Sequence, residues 1–353
     1  MKDLSQPVRW VAYAPRGLAD GRRVAAADED AFTMAASALE LARAAGGEPP
    51  SLERIELVGD FPPVADWGFS ALLGHPVKIA RHPAGAAAFR SVLEGVLEEG
   101  PTGTGWAVMT ADLPERGGES ALARPSAIGA AAVAVVGAGG ARIDPATIAP
   151  FEGPACAVDA AIAAARSARR AEPDAWVGDW SPDPAQGRPV DLASVLAAAS
   201  PPLSAVSEGA YVPRARYVEN LPSRWRFVAE ECDVCGSRTF PARGACVRCG
   251  ERWRLRPTVL PTEGATVVAS TVIGKGGQPT EFDAQVAASG AYGVVLAELG
   301  PGARVTLQVT DSAPEALAIG SRIGTRLRRL YPMEGEWRYG RKAVPLAGPS
   351  SRA

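Results

Sequence analysis

The chain has 353 residues, room for two or three domains at the usual ~100–200 residues each, and 47% of it is apolar, so a sizeable core can form. No run of ~18 apolar residues occurs, which excludes a membrane-spanning helix, and a formal net charge of -2 gives no global pull toward nucleic acid. Histidine occurs only at His75 and His82, which excludes most histidine-based chemistry in the rest of the chain.

The opening MKDLSQPVRWVAYAP has a short apolar stretch with no small-residue cleavage site after it, so it does not read as a secretory leader, and a cytoplasmic location is expected. VRWVAY (8–13) reads as a strand. In DEDAFTMAASALELARAAGG, residues Phe32, Ala35, Ala36, Leu39 and Ala42 recur at helical spacing, with Asp28 as the expected N-cap and Gly46-Gly47 as the stop. RIELVGDF (54–61) predicts a second strand, AGAAAFRSVLEGVLEEG (84–100) a helix, GWAVMTAD (105–112) a strand, and IGAAAVAVVGAG (128–139) a very apolar strand. Strand and helix alternate, so residues 1–145 are expected to form an α/β layer with a largely buried sheet.

Residues 146–210 hold one alanine-rich helical stretch and then runs dense in proline, glycine, serine and aspartate, the composition of a connector. Residues 211–256 carry four cysteines and ten arginines against five acids. Residues 257–345 read as successive strands, ATVVASTVI, YGVVLAEL, ARVTLQVT and SRIGTRLRRLY, separated by glycine and proline turns as in a small closed all-β domain. Residues 346–353 read as a disordered tail. The fold class expected is therefore multidomain, α/β plus all-β.

Cys232-x-x-Cys235 and Cys246-x-x-Cys249 are two knuckles, each followed by glycine (Gly236, Gly250). Two thiolates three apart at a tight turn hold one face of a tetrahedral ion, and a second such pair completes a Cys₄ site for Zn²⁺. With every ligand supplied by the chain no coordination position stays open, so the zinc is expected to be structural. Two disulfides in an exported protein are the alternative, but no export signal supports them. Cys156, alone in an alanine-rich stretch, reads as a small buried apolar residue rather than a nucleophile.

Several stretches carry a resemblance: RFVAEECDVCGSRTFPARGACVRCG, GATVVASTVIGKGGQPTEFDAQ, AYGVVLAEL and RRLYPMEGEWRYGRKAVP. Together they resemble a rubredoxin-like zinc ribbon (211–256) followed by an OB fold (257–345), the acyl-CoA-associated module that accompanies thiolases and hydroxymethylglutaryl-CoA synthases. The resemblance implies a bridge between an acyl-CoA enzyme and its partner that helps hold or pass a CoA thioester. The front part resembles the N-terminal half of the thiolase-like fold, in its hydroxymethylglutaryl-CoA synthase branch, through YAPRGLADGRRVAAADEDAFTMAASALELA, PAGAAAFRSVLEGV, WAVMTAD and IGAAAVAVVG. In that family a nucleophilic cysteine stands just before an Ala-Gly that opens a helix. Here Pro83 occupies that place, and a shift of one residue gives His82, not a thiol. The family's other catalytic groups come from a second half that is not recognisable here, so no catalytic residue is assigned and the half-domain is read as degenerate.

These features predict a non-catalytic accessory subunit of a thiolase-like acyl-CoA complex, whose partners are a full-length thiolase-fold catalytic subunit and acyl-CoA, with no membrane. Expected CoA contacts are Lys275 in the glycine-rich IGKGGQP, and Arg328, Arg329 and Tyr331 in RRLY, although the last three also suit barrel packing and surface charge. Two rivals remain. A nucleic-acid-binding protein would use the ribbon, the barrel and the arginines, but its predicted strands lack the several exposed aromatics that single-strand binding uses. A free-standing acyltransferase would need Cys156 as nucleophile.

Overall fold

In the computed structural model the chain divides into two units, 1–185 and 186–353. The structure describes residues 6–13, 17–19, 22–44, 51–99, 105–111, 131–136, 141–143, 161, 188–189, 213–333 and 335–346. Cys156 and the tail from 347 onward lie outside them, as does nearly all of the expected connector.

The first unit is built on a six-stranded sheet. Its strands are β1 (Gln6–Tyr13), β4 (Leu52–Val58), β5 (Lys78–His82), β6 (Gly105–Ala111), β7 (Ala131–Val136) and β8 (Ala141–Ile143), in the order β5-β4-β6-β7-β1-β8. A short hairpin, β2 (Gly17–Ala19) with β3 (Arg22–Val24), stands apart from it. The sheet is mixed: β4 runs parallel to both β5 and β6, whereas β7 runs antiparallel to β6 and to β1. Ile55 to Val58 and Ala107 to Met109 are buried at consecutive positions, so the sheet centre is covered on both faces.

Three helices accompany it: α1 (Ala31–Ala44), α2 (Ala65–Leu73) and α3 (Ala86–Glu99). Residues 31 to 39 of α1 are all buried, which a helix of alanine, Phe32, Met34 and Leu39 tolerates because it is apolar all round. Thr33 and Ser37 lie among them, and the Ser37 hydroxyl bonds back to the Thr33 carbonyl (2.9 Å). The N-cap is Asp30 rather than the expected Asp28. The Thr33 amide donates to Asp30 Oδ1 (2.8 Å) and the Asp30 amide donates to Thr33 Oγ1 (2.8 Å), a reciprocal pairing at the residue immediately before the helix, two positions after Asp28. Helix α2 and strand β5 were not foreseen from sequence.

Gly68 is where α2 meets α1. A Cβ added there would stand 2.6 Å from Cζ of Phe32, whose ring is buried and packs edge-on against Phe69 with centroids 5.0 Å apart. Helix propensity alone favours Gly68→Ala by about 1 kcal/mol. Overpacking a closed ring contact costs about 1–3 kcal/mol and wins. The expected result is a lower melting temperature for Gly68→Ala, read by calorimetry, and a rise would show that the Phe32 ring yields freely.

The connector contributes the two-residue strand β9 (Arg188–Pro189). The rest of the second unit begins with two short helices, α4 (Arg214–Glu219) and α5 (Leu221–Arg226), the latter opened by Pro222 in its first turn and closed by Phe227 at φ 52. A three-stranded sheet follows, β11 (Arg238–Thr239), β10 (Val228–Cys232) and β12 (Leu255–Val259) in that order, with both pairings antiparallel. Then come β13 (Glu263–Ile273), β14 (Tyr292–Gly300), β15 (Ala303–Gln308), β16 (Arg322–Met333) and β17 (Glu336–Pro345). A helical insertion, a 3₁₀ turn at Thr280–Phe282 and α6 (Asp283–Ser289), lies between β13 and β14.

These five strands pair antiparallel in the order β15-β14-β13-β16-β17. A parallel bridge between Val309 and Ala343, with the Thr310 amide donating to the Ala343 carbonyl (2.9 Å), nearly closes them into a barrel. The barrel core holds Val267, Val295, Ala297, Leu307 and Ile323, and it extends to Phe227 and Ala229, so the base of the three-stranded sheet shares it.

Strand β14 alternates buried and half-buried residues as a half-covered strand does, but β17 is buried from Arg338 to Val344 without interruption. The helices α4 and α5 account for the covered outer face. The Tyr217 hydroxyl donates to the Tyr339 carbonyl (2.9 Å) and accepts from the Tyr339 amide (2.9 Å), and Trp225 Nε1 donates to the same carbonyl (3.0 Å). Burial pushes the Tyr217 hydroxyl up to about 12, so it remains a neutral donor.

A candidate metal centre on a double knuckle

Both knuckles are built by the same local rule. The Cys232 amide donates to the Ser237 carbonyl (2.9 Å) and the Gly236 amide returns to the Cys232 carbonyl (2.8 Å). In the second knuckle the Cys246 amide donates to the Glu251 carbonyl (2.8 Å) and the Gly250 amide to the Cys246 carbonyl (3.0 Å). Gly236 (φ 67) and Gly250 (φ 75) take the left-handed conformation that reverses the chain, and an added Cβ would meet nothing within 4 Å at either. Backbone twist, not space, therefore requires glycine at both.

The fold brings the two knuckles face to face. All four sulfurs lie within 4.8 Å of one another, with Cys232 and Cys249 at 3.6 Å and Cys235 and Cys246 at 3.6 Å. All four are free thiols, which removes the two-disulfide alternative. Cys232 and Cys246 are buried, Cys235 is half-buried and Cys249 is exposed, so the cluster opens on one side only. The amides of Cys249 and Arg248 draw the Cys246 thiol down to about 6, the Arg248 amide standing 3.4 Å from its sulfur. At Cys249 the Glu251 amide pulls the same way, but the neighbouring sulfurs of Cys235, Cys232 and Cys246 prevail and push that thiol up to about 12. Four sulfurs this close do not all ionise unless a cation stands among them. The donor set and its geometry are compatible with a metal site.

The flanking charges are ordered too. Arg238 (2.9 Å) and Arg256 both bond Glu231 and hold its carboxyl below the usual range. Arg256 also meets Asp233 (2.9 Å).

The other expected site residues fall in different surroundings. Lys275 is exposed at the turn after β13. Arg328 is fully buried and its guanidinium meets Asp311 Oδ2 at 3.1 Å. Arg329 is buried with its guanidinium 4.6 Å from the Trp337 ring centroid. The Tyr331 ring packs edge-on to Phe282 at 5.5 Å, and burial raises its hydroxyl above the ordinary value. Lys275 thus stands in solvent while the RRLY side chains are inside the barrel wall.

In the first unit Pro83 follows β5, three residues before α3 begins. His82 Nε2 lies 2.5 Å from Oε2 of Glu56, a carboxylate only 1% exposed that also meets Arg54. The parallel register that sets Val58 opposite His82 creates this contact, and sequence reasoning passed over Glu56 because the two residues are 26 apart. His75 bonds the Leu52 carbonyl (3.0 Å).

No protein-family model matches the chain. It is 28% identical over 129 residues to a DUF35 domain-containing scaffold protein of Methanocaldococcus jannaschii, a match covering 36% of this chain and 86% of the relative. A second protein of the same description, from Methanothermobacter thermautotrophicus, is 29% identical over 117 residues, covering 33% of this chain and 82% of the relative. Among solved structures, an Ltp2-ChsH2(DUF35) aldolase is similar at a TM-score of 0.28 and 20% identity, over 40% of this chain and 97% of that one. PksG, an HMG-CoA synthase from Bacillus subtilis, is similar at 0.33 and 16%, over 42% of this chain and 46% of its own. Among the described residues no helix is long and apolar enough to cross a membrane.

Proposed function

We propose that the chain is a non-catalytic accessory subunit of a thiolase-like acyl-CoA complex, with an acyl-CoA ligand and a full-length thiolase-fold chain as its catalytic partner. The observation that carries this is the likeness to two archaeal proteins described as scaffolds, extending over more than four-fifths of each. The double knuckle and the barrel agree with a module that holds other molecules in place, and the motifs FPAR and RRLY add the acyl-CoA association by resemblance.

In this reading the metal is Zn²⁺. A Zn–S bond of about 2.3 Å in tetrahedral geometry sets sulfurs about 3.8 Å apart. The 3.6 Å separations fit that edge. Zinc would be held by Cys232, Cys235, Cys246 and Cys249 and would order the ribbon. The strand order with its closing parallel bridge supports an OB fold, whose binding loops include the one after its first strand, here the loop that carries Lys275. Lys275 is the most accessible proposed CoA contact. Arg328, Arg329 and Tyr331 would act from within the wall, by shaping the barrel beneath such a ligand. The first unit is proposed as a degenerate thiolase-like half, since Pro83 offers no sulfur where the resemblance asks for one.

Co-expression with a full-length thiolase-fold chain tests the proposal. The expected result is a hetero-oligomer of constant stoichiometry by light scattering, with turnover only in the complex. Thiolase, synthase or aldolase turnover by the isolated chain, abolished by Cys156→Ala, would refute it in favour of a free-standing acyltransferase.

A further inference from the structure

Trp253 is 92% exposed, and it is the one exposed aromatic side chain among the described residues. Tryptophan normally buries most of its large apolar surface, so a ring left in water invites a partner. The loop under it is firmly tied. Glu251 Oε1 accepts from the backbone amides of Arg252 (2.8 Å), Trp253 (2.7 Å) and Arg254 (3.3 Å). The Glu251 carbonyl is held by the Cys246 amide and the Arg254 carbonyl by the Asp233 amide (3.0 Å), which joins the loop to both knuckles. The ring is thus presented by a backbone ordered before any partner arrives, and that lowers the entropy lost on binding.

The surroundings define what fits. Val247 (62% exposed) and Val234 (48% exposed) stand between the cysteines of the two knuckles, whose sulfurs the fold brings within 4.8 Å of one another. From 243 to 256 the chain has five arginines and one acid. That acid, Glu251, is committed to the loop amides, and Arg256 is committed to Glu231 and Asp233. Arg243, Arg248 and Arg252 are exposed and, among the described residues, make no ion pair. An apolar centre with a guanidinium rim, rich in tryptophan and arginine, is the composition of a protein-binding hot spot.

We infer that Trp253, with Val234 and Val247 and the rim of Arg243, Arg248 and Arg252, is a docking surface for a protein partner presenting an apolar pocket edged by carboxylates. The inference rests on the accessory-subunit reading for the identity of that partner, the thiolase-fold chain. A single-stranded nucleic acid fits less well. It stacks successive bases on several aromatics, and here there is one ring flanked by two valines that offer nothing to phosphate.

The test uses the full-length, zinc-loaded chain and a full-length thiolase-fold chain with which it co-purifies, with affinity measured at two salt concentrations. Trp253→Ala should weaken binding by about thirtyfold or more, the range of a hot-spot truncation. Arg252→Glu should weaken it and flatten its salt dependence, and Arg252→Lys should recover most of the loss. Ile319→Ala, at a residue 71% exposed in the barrel unit, should change nothing. Zinc content equal to the parent's in each variant shows that the knuckles remain folded. If the parent binds and Trp253→Ala binds as well as it does, the docking surface is wrong and the accessory-subunit reading stands. If the parent does not bind at all, both fail. Self-association of the chain lost in Trp253→Ala, or an oligothymidine that quenches its fluorescence, would assign the patch to a second copy or to nucleic acid and overturn the inference.

Discussion

Cys235→Ser is expected to release the metal and unfold the double knuckle while leaving the barrel standing. Between the strands that flank it, the segment from 233 to 254 has little apolar interior of its own, and Val234, Val247 and Trp253 point to solvent. Under the zinc proposal its order comes from the ion. Structural zinc in small knuckle peptides contributes apparent binding energies of about 10–16 kcal/mol near neutral pH, far more than the few local hydrogen bonds here could supply. The loss should stop at the ribbon's base, because Phe227 and Ala229 belong to the barrel core and are held from that side. Amide exchange should rise through the knuckles and stay slow in β13–β17. The ligands bind as thiolates, so protons compete with the metal, and the site should empty as pH falls, not as it rises. Elemental analysis of the parent should give one zinc per chain, and well-folded protein without zinc would sink the assignment.

The second large effect is expected at Asp311. Its carboxylate, 11% exposed, faces the fully buried guanidinium of Arg328 at 3.1 Å. Removing one partner of a buried ion pair takes that counterion from the other charge in a poorly polarisable interior, and typical costs are about 3–5 kcal/mol. Asp311→Ala should lower barrel stability by that order in denaturant unfolding. Part of the loss has a second source, since Asp311 adopts φ 59, which aspartate and asparagine tolerate better than alanine. Asp311→Asn separates the two: it keeps the backbone preference and loses only the charge. The double variant Asp311→Asn with Arg328→Met should recover stability relative to Asp311→Asn alone, because the buried guanidinium that faced Asp311 is gone as well. If Asp311→Asn costs nothing, the pair does not stabilise the barrel.

The four clustered cysteines were legible in the sequence because their local geometry is encoded in adjacent residues. Cys-x-x-Cys followed by glycine encodes its own turn, and the hydrogen-bond pattern at Cys232 repeats at Cys246 without help from the rest of the fold. The major strands and helices of the first unit were legible for a similar reason, since β4, β6 and α3 keep an apolar pattern within a single stretch. Strand β17, in contrast, has no alternating apolar pattern in its string EWRYGRKAVP, and three of its ten residues are cations that are nonetheless buried. No local pattern reports that α4 and α5 lie over its outer face, through contacts 122 and 114 residues apart in sequence.

Three more features belong to the tertiary structure alone. The expected cap was Asp28, and the structure gives the role to Asp30, whose carboxylate accepts from the Thr33 amide. Helix α2 is nine residues long with a glycine inside it, too short and too weak in propensity to announce itself, and it exists because Gly68 lets it close on Phe32. Glu56 and His82 become neighbours only through strand pairing. Sequence determined which residues turn, which cysteines pair into knuckles and which residues alternate, since those depend on a few adjacent dihedrals and side chains. The fold alone decided which charges end up inside and which tryptophan stays outside, because burial is set by whatever distant segment arrives to cover a surface, and for Trp253 none of the described residues does.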